Sequence, residues 1–212
     1  MSQTLSDYIT EVRRLLHDAN ANFWTDQELT DYINDARNRL VRDTGVNRVI
    51  QSSSVVQNQE VYTFSALPQG SLTLDIVNFN LYWGNSRIPL RYMPWTDFNA
   101  RLRYWQNYIG TPIAFSVYGQ STIYIGPIPD QSYTLDLDTV LLPTDLVNLA
   151  DTDNIDAPYT SPVKYYAAYT AKYYEQSFGE AEIYLQQYKQ QIQSVQASVY
   201  TRRMPDPYSQ PY

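Results

Sequence analysis

Hydrophobic positions at the start of the chain recur with a helical period. Leu5, Ile9, Val12 and Leu16 step by four, three and four residues and define one apolar face. Thr4 is placed to cap the amide of Asp7. A second helix opens at Thr25, whose T-x-x-E spacing to Glu28 is a capping box, with Trp24 before it positioned to staple onto Leu29. Leu29, Ile33, Ala36 and Leu40 form its buried stripe, and Gly45 is a natural left-handed terminator. Two such helices with a short link predict an antiparallel hairpin.

At Val46 the period changes from helical to alternating. VNRVIQSSSVVQ, EVYTF, LTLDIVNFNLYW, RIPLRYM, IAFSVYG, STIYIG and SYTLDLDTVLL are rich in β-branched and aromatic residues. Turn signals at Gln57-Asn58, Pro68-Gln69-Gly70, Gly84-Asn85, Gly119-Gln120 and Pro127 to Asp130 separate them. One helix, about residues 96–109 with Thr96 as its cap, interrupts the strands. After residue 157 the helical period returns. Ser161-Pro162 reads as a cap with proline at the first helical position, and VKYYAAYTAKYYEQSF runs to Gly179. Beyond it Ala181, Leu185, Tyr188, Ile192, Val195 and Val199 make a seam of period 3.5, suited to packing along a neighbouring helix. Ala167, Ala168 and Ala171 would allow that helix to approach closely.

The fold class is therefore α+β. Helical hairpins at 1–45 and 158–201 form a bundle, an antiparallel β unit with one helix and an acidic loop is inserted at 46–157, and an extended arm follows at 202–212. That arm, RRMPDPYSQPY, has three prolines and cannot continue a helix. Met204, Tyr208 and Tyr212 are large groups on a tail too short to bury them, which favours an arm docked on another subunit over a frayed end.

Composition narrows the function classes. The chain has 212 residues, no cysteine and one histidine, so disulfide scaffolds and thiolate metal sites are excluded and zinc or serine-triad chemistry is disfavoured. Tyrosine occurs 21 times, and arginine far outnumbers lysine. Tyr and Arg are enriched at protein–protein contacts and Lys is depleted there. The formal charge is −7. Asp130, Asp136, Asp138, Asp145, Asp151, Asp153 and Asp156 fall in one stretch without Lys or Arg, whose field would repel phosphate. It reads first as a solvated acidic loop. No apolar run approaches the roughly 20 residues of a membrane span, and no secretory signal opens the chain.

Candidate chemistry is thin. Asp136 and Asp138 share one face of a strand at roughly 7 Å, a separation compatible with a glycosidase pair, yet Leu135, Leu137 and Thr139 on the other face make a solvated edge the simpler reading. The run DTDNID starts like a calcium loop but puts Asp156 and Pro162 where glycine and a bidentate glutamate are required, so a flexible acidic linker fits better. His17 is a structural residue at a helix end. RLRYWQNY mixes basic and aromatic residues as single-strand binders do, but Leu102, Trp105 and Ile109 describe an ordinary helix face. No cofactor is implied.

The order of these elements resembles the head-to-tail connector (adaptor) proteins of tailed bacteriophages. LSDYITEVRRLLHDAN…FWTDQELTDYINDARNRLVRDTG is similar to that family's opening hairpin. GTPIAFSVYGQSTIYIGPIPDQSYTLDLDTVLL resembles its strand–turn–strand core, and IDAPYTSPVKYYAAYTAKYYEQSFGEAEIYLQQYKQQI its closing helices. The resemblance implies a structural virion protein and not an enzyme. It would bind the portal protein as a ring of identical subunits, typically twelvefold, at the head–tail junction, after assembly in the host cytoplasm. It would extend the channel through which DNA passes without specific binding, and present a platform to a downstream tail or nozzle protein. The arm residues Arg202, Arg203, Met204, Pro205, Tyr208 and Tyr212 would then contact the portal or a neighbouring subunit, and the seven aspartates could line the channel. The alternative is a carbohydrate- or receptor-binding virion module using Trp83, Trp95 and Trp105.

Overall fold

A computed structural model of the chain describes residues 3–105 and 108–201, with backbone alone at 102–105, 200 and 201. Two compact units are present. One comprises Met1–Asn47 with Leu142–Tyr212, the other Arg48–Leu141.

The first unit is built on four helices. In α1 (Leu5–Leu16) the Thr4 hydroxyl accepts from the Asp7 amide while the Asp7 carboxylate accepts from the Thr4 amide, a complete capping box. The helix ends at His17, which adopts the left-handed conformation at φ 57°. Asp18 then organises the link to α2 (Asp26–Thr44). Its carboxylate accepts the amides of Asn22 at 2.8 Å and Trp24 at 3.1 Å, and pairs with Arg13 at 2.9 Å. Arg13 reaches on to Asp26 at 2.7 Å, so one guanidinium clamps the loop to both helices. Thr25 and Glu28 form the expected capping box, and Gly45 terminates α2 at φ 61°.

α4 (Val163–Tyr174) begins without a side-chain cap. Ser161, expected as that cap, instead directs its hydroxyl to the Gln191 side chain at 3.3 Å, and Pro162 occupies the capping position. α5 (Phe178–Thr201) opens one residue before Gly179. Its seam is buried at Ala181, Tyr188, Ile192, Val195 and Val199. Ala167, Ala168 and Ala171 of α4 are fully buried, as close helix approach demands. α4 packs on α1, α2 and α5.

The second unit holds the strands. β1 (Arg48–Val55), β10 (Tyr133–Leu141), β3 (Thr73–Trp83) and β4 (Ser86–Pro89) form one antiparallel sheet in the order β1-β10-β3-β4. β2 (Val61–Thr63), β8 (Thr122–Gly126), β7 (Ala114–Tyr118) and β5 (Arg91–Tyr92) form a second. Register places Leu137 opposite Phe79 and Leu135 opposite Leu81, so that their inward faces coincide. These four residues share a core with Phe115, Ile123 and Ile125 of the second sheet, where Phe79 stacks on Phe115 at 5.1 Å. Gly119 carries the β7–β8 turn at φ 63°, the positive value a tight hairpin requires.

Three details depart from the sequence expectation. RIPLRYM is not one strand: Leu90 is buried between β4 and β5, which belong to different sheets. The unit is not wholly antiparallel, because β5 pairs with β7 in parallel, as does β6 (Ile109–Gly110) with β9 (Ile128–Pro129). Helix α3 spans Trp95–Trp105 rather than 96–109. It starts one residue early because the Pro94 carbonyl accepts from the Phe98 amide, and Ile109 has left for a strand.

Candidate interaction surfaces

Residues 142–157, which the sequence groups with the β unit, are packed with the helices. The decisive contact is Arg37 against Asp153. Both side chains are fully buried and meet through two bonds, Nη2 to Oδ1 at 2.7 Å and Nε to Oδ2 at 3.1 Å. The Tyr8 hydroxyl donates to Oδ2 at 2.5 Å, and the Ile155 amide to Oδ1 at 2.9 Å. Burial, followed by the adjacent Asp153 charge, pushes the Tyr8 phenol well above its ordinary value and keeps it a donor. Arg37 spends its remaining donors on Asn34, Asn154 and the Thr144 carbonyl. Asn34 in turn exchanges two 3.0 Å bonds with the backbone of Leu146. Further along, the Leu5 and Ser6 amides donate to the carbonyls of Asp151 and Leu149, and the Asp153 amide donates to Gln3. The expected flexible linker is therefore a tethered loop.

This alters the reading of the seven aspartates, which are not one solvated patch. Asp153 is ion-paired with Arg37 in the interior. Asp151 caps a turn, accepting from the amides of Val147 and Asn148; those bonds, Asn148 first, hold its carboxyl below the usual range. Asp136 and Asp138 do lie on the strand face opposite Leu135 and Leu137. Asp138 is bound by Arg48. Asp136 accepts from the Tyr82 and Ser52 hydroxyls, with Arg87 at 4.0 Å, and the Tyr82 bond leads in lowering its pKa. Both carboxylates are thus engaged by neighbouring side chains on the strand face. Asp130 is exposed but accepts from Tyr133 at 2.6 Å. Asp145 and Asp156 are exposed. Asp130, Asp136 and Asp138 belong to the strand unit and the other four to the helical unit.

Tyrosine is distributed over both core and surface. In the helical unit a path of ring contacts runs from Trp24 to Tyr32, Tyr174, Tyr173, Tyr169, Tyr166 and Tyr188. Tyr166, Tyr169 and Tyr173 sit at i, i+3 and i+7 of α4 and so share a face. Tyr174 is 67% exposed. Between α2 and α4 these rings border a groove of about 370 Å³ that also includes Asp35, Asn38, Arg39, Arg42 and Thr170. Arg39 pairs with Asp43 at 2.9 Å, and Asp43 also accepts from Tyr188. Burial raises the pKa of both Tyr166 and Tyr188, leaving neutral rings with hydroxyl donors. In the other unit Trp95 packs on Tyr124 at 4.5 Å and Tyr118 at 4.6 Å, whereas Trp83 is 53% exposed at the end of β3. Trp105 and the arm residues Arg202, Arg203, Met204, Pro205, Tyr208 and Tyr212 lie outside the described side chains.

Among the described residues, no group of three His, Asp or Glu side chains is arranged to hold a metal ion. None of the described helices is long and apolar enough to cross a membrane.

Comparison with known families decides the identity. The chain matches the SU10 adaptor protein family over residues 3–210, which takes in both units. The chain belongs to that family. It is accordingly a bacteriophage adaptor, a structural component of the virion that interacts with other head and tail proteins. No curated protein matches it. Sequence reasoning identified the adaptor by element order but missed Arg37 and Tyr8. A signal for Arg37 was present, since it falls four residues after Ile33 and three before Leu40, inside the apolar stripe of α2.

Proposed function

We propose that this adaptor binds the portal protein as a ring of identical subunits, twelvefold in keeping with its family resemblance. The ring extends the DNA channel and offers a platform to a downstream tail or nozzle protein. The observation that carries this reading is the family match over 3–210, which takes in both compact units rather than one module. Exposed Tyr173 and Tyr174 beside Arg39 and Arg42 support it, because these residue types supply contact energy at protein interfaces. The helices at the two ends of the chain act as paired hairpins that brace the subunit, and no residue has a bond-breaking role. The subunits assemble in the host cytoplasm at the head–tail junction. The arm, through Arg202, Arg203, Met204, Pro205, Tyr208 and Tyr212, contacts the portal or a neighbour.

Of the acidic segment, the exposed Asp130 and Asp156 are the carboxylates available to a channel wall, where they would repel DNA phosphates and keep the genome sliding. Replacing Asp130 and Asp156 with Asn is expected to slow DNA ejection and leave assembly intact; ejection at the unmodified rate removes the channel-wall role. The carbohydrate-binding alternative has less support, because Trp95 is already engaged by Tyr118 and Tyr124.

Mass measurement of the purified protein, alone and mixed with portal, tests the main reading. A monomer alone and a closed ring with portal is expected. A protein that stays monomeric beside assembled portal, or that binds a glycan array, refutes it.

A further inference from the structure

The tethered loop 142–156 combines two properties that rarely occur together. Its backbone is fixed at Thr144, Leu146, Leu149, Asp151 and Asp153 by bonds to α1, α2 and the residues just before α1. Yet its tip presents Val147 at 75% and Leu149 at 52% exposure, flanked by exposed Asp145. An apolar pair held rigidly in water does nothing for the isolated subunit and costs little ordering entropy when a partner covers it.

The same helical unit carries a complementary surface. The α2–α4 groove has aromatic walls, Tyr166, Tyr169, Tyr173 and Tyr174, with Asp35, Arg39 and Arg42 at its rim, where Arg39 is held by Asp43. Arg42 is exposed and has no ion pair among the described residues. The loop tip is aliphatic beside the exposed Asp145 carboxylate; the groove is aromatic beside the exposed Arg42 guanidinium. At 100° per residue, Asn34 and Arg37, which hold the loop, and Asp35, Asn38, Arg39 and Arg42, which line the groove, are centred roughly 120° apart around the α2 axis. Two complementary patches on different sides of one molecule make a heterologous, head-to-tail contact, which closes into a ring when the rotation permits.

We infer that the Val147–Leu149 tip of one adaptor subunit seats in the tyrosine groove between α2 and α4 of the next, with Asp145 facing Arg42. This names the subunit interface of the ring proposed above and rests on that reading.

The absence of native cysteine makes the test direct. Full-length protein carrying Val147→Cys and Thr170→Cys is assembled with portal and treated with a short bismaleimide, while ring formation is followed separately by mass and electron microscopy. The expected result is a covalent ladder from the double variant and dimers only from mixed single variants. Rings without a ladder overturn this interface and leave the ring reading standing; no ring at all removes both. Val147→Asp with Leu149→Asp changes exposed side chains, so the melting temperature is expected to hold while ring assembly weakens at least about tenfold. Unweakened assembly overturns the inference. Asp145→Arg and Arg42→Glu are each expected to weaken assembly about threefold or more and to restore it when combined in one chain. Failure of the combination to restore assembly also counts against the inference.

Discussion

Removing one partner of the Arg37–Asp153 pair leaves a charge in a site that water does not reach. In Asp153→Ala, the Arg37 guanidinium loses the bonds at 2.7 and 3.1 Å, and the Tyr8 hydroxyl and Ile155 amide lose their acceptor as well. Breaking a buried pair in this way costs about 3–5 kcal/mol. Set against a total folding stability of about 5–15 kcal/mol, that is a large fraction. For a chain of 212 residues it corresponds to a drop in melting temperature of about 6–20 °C, at about 2–4 °C per kcal/mol. Arg37→Met is expected to fall in the same range, because it strands the carboxylate. The double variant Arg37→Met with Asp153→Leu removes both charges and is expected to recover part of the loss; the Tyr8 hydroxyl and Ile155 amide still lack the Asp153 acceptor and the Thr144 carbonyl its Arg37 donor, which limits the recovery. Calorimetry gives the global change, and hydrogen exchange localises it, with amides of residues 144–155 expected to lose protection first. Single variants that each cost under about 1 kcal/mol, or a double variant worse than either single, would refute the claim that this pair fastens the loop.

Three further outcomes are open to measurement. Thr25→Ala removes the acceptor of the Glu28 amide and is expected to destabilise the protein by about 1 kcal/mol in denaturant unfolding, whereas Thr25→Ser is expected to be close to neutral. Gly119→Ala meets no neighbouring atoms but keeps φ at 63°, so its cost is conformational, about 1 kcal/mol; Gly70→Ala drives a Cβ into the Phe64 carbonyl and is expected to cost clearly more. On the acid side, Asp136 and Asp151 have folded pKa values below their unfolded ones through the Tyr82 and Asn148 bonds, respectively. Their contribution is fully present above about pH 4 and is lost as pH falls through the folded values, so Asp151→Asn is expected to flatten the acid limb of a stability–pH curve.

Local rules were enough to locate the helices of this chain. Thr4, Thr25 and Gly45 govern hydrogen bonds within a few residues of themselves, and the 3.5-residue seam of α5 needs only one apolar side facing a neighbour. The same holds for the Gly119 turn and the alternation that puts Leu135 and Leu137 opposite Asp136 and Asp138. Where propensity competes with pairing it misleads. Ile109 reads as the end of a helix face, but its place is set by Ile128 across a strand pair, a partner that no local window contains.

The acidic stretch shows the same division more sharply. Seven aspartates in order along the chain suggest one field, because sequence records charge but not distance. Asp153 is matched by Arg37, 116 residues earlier, and Asp138 by Arg48, 90 residues earlier. Order of elements, set by periodicity and caps, determined the α+β class and the family likeness by itself. Which carboxylates remain in water, and which loop stands rigid with an apolar tip, depended on contacts between distant segments, since desolvation and ion pairing are properties of position in space.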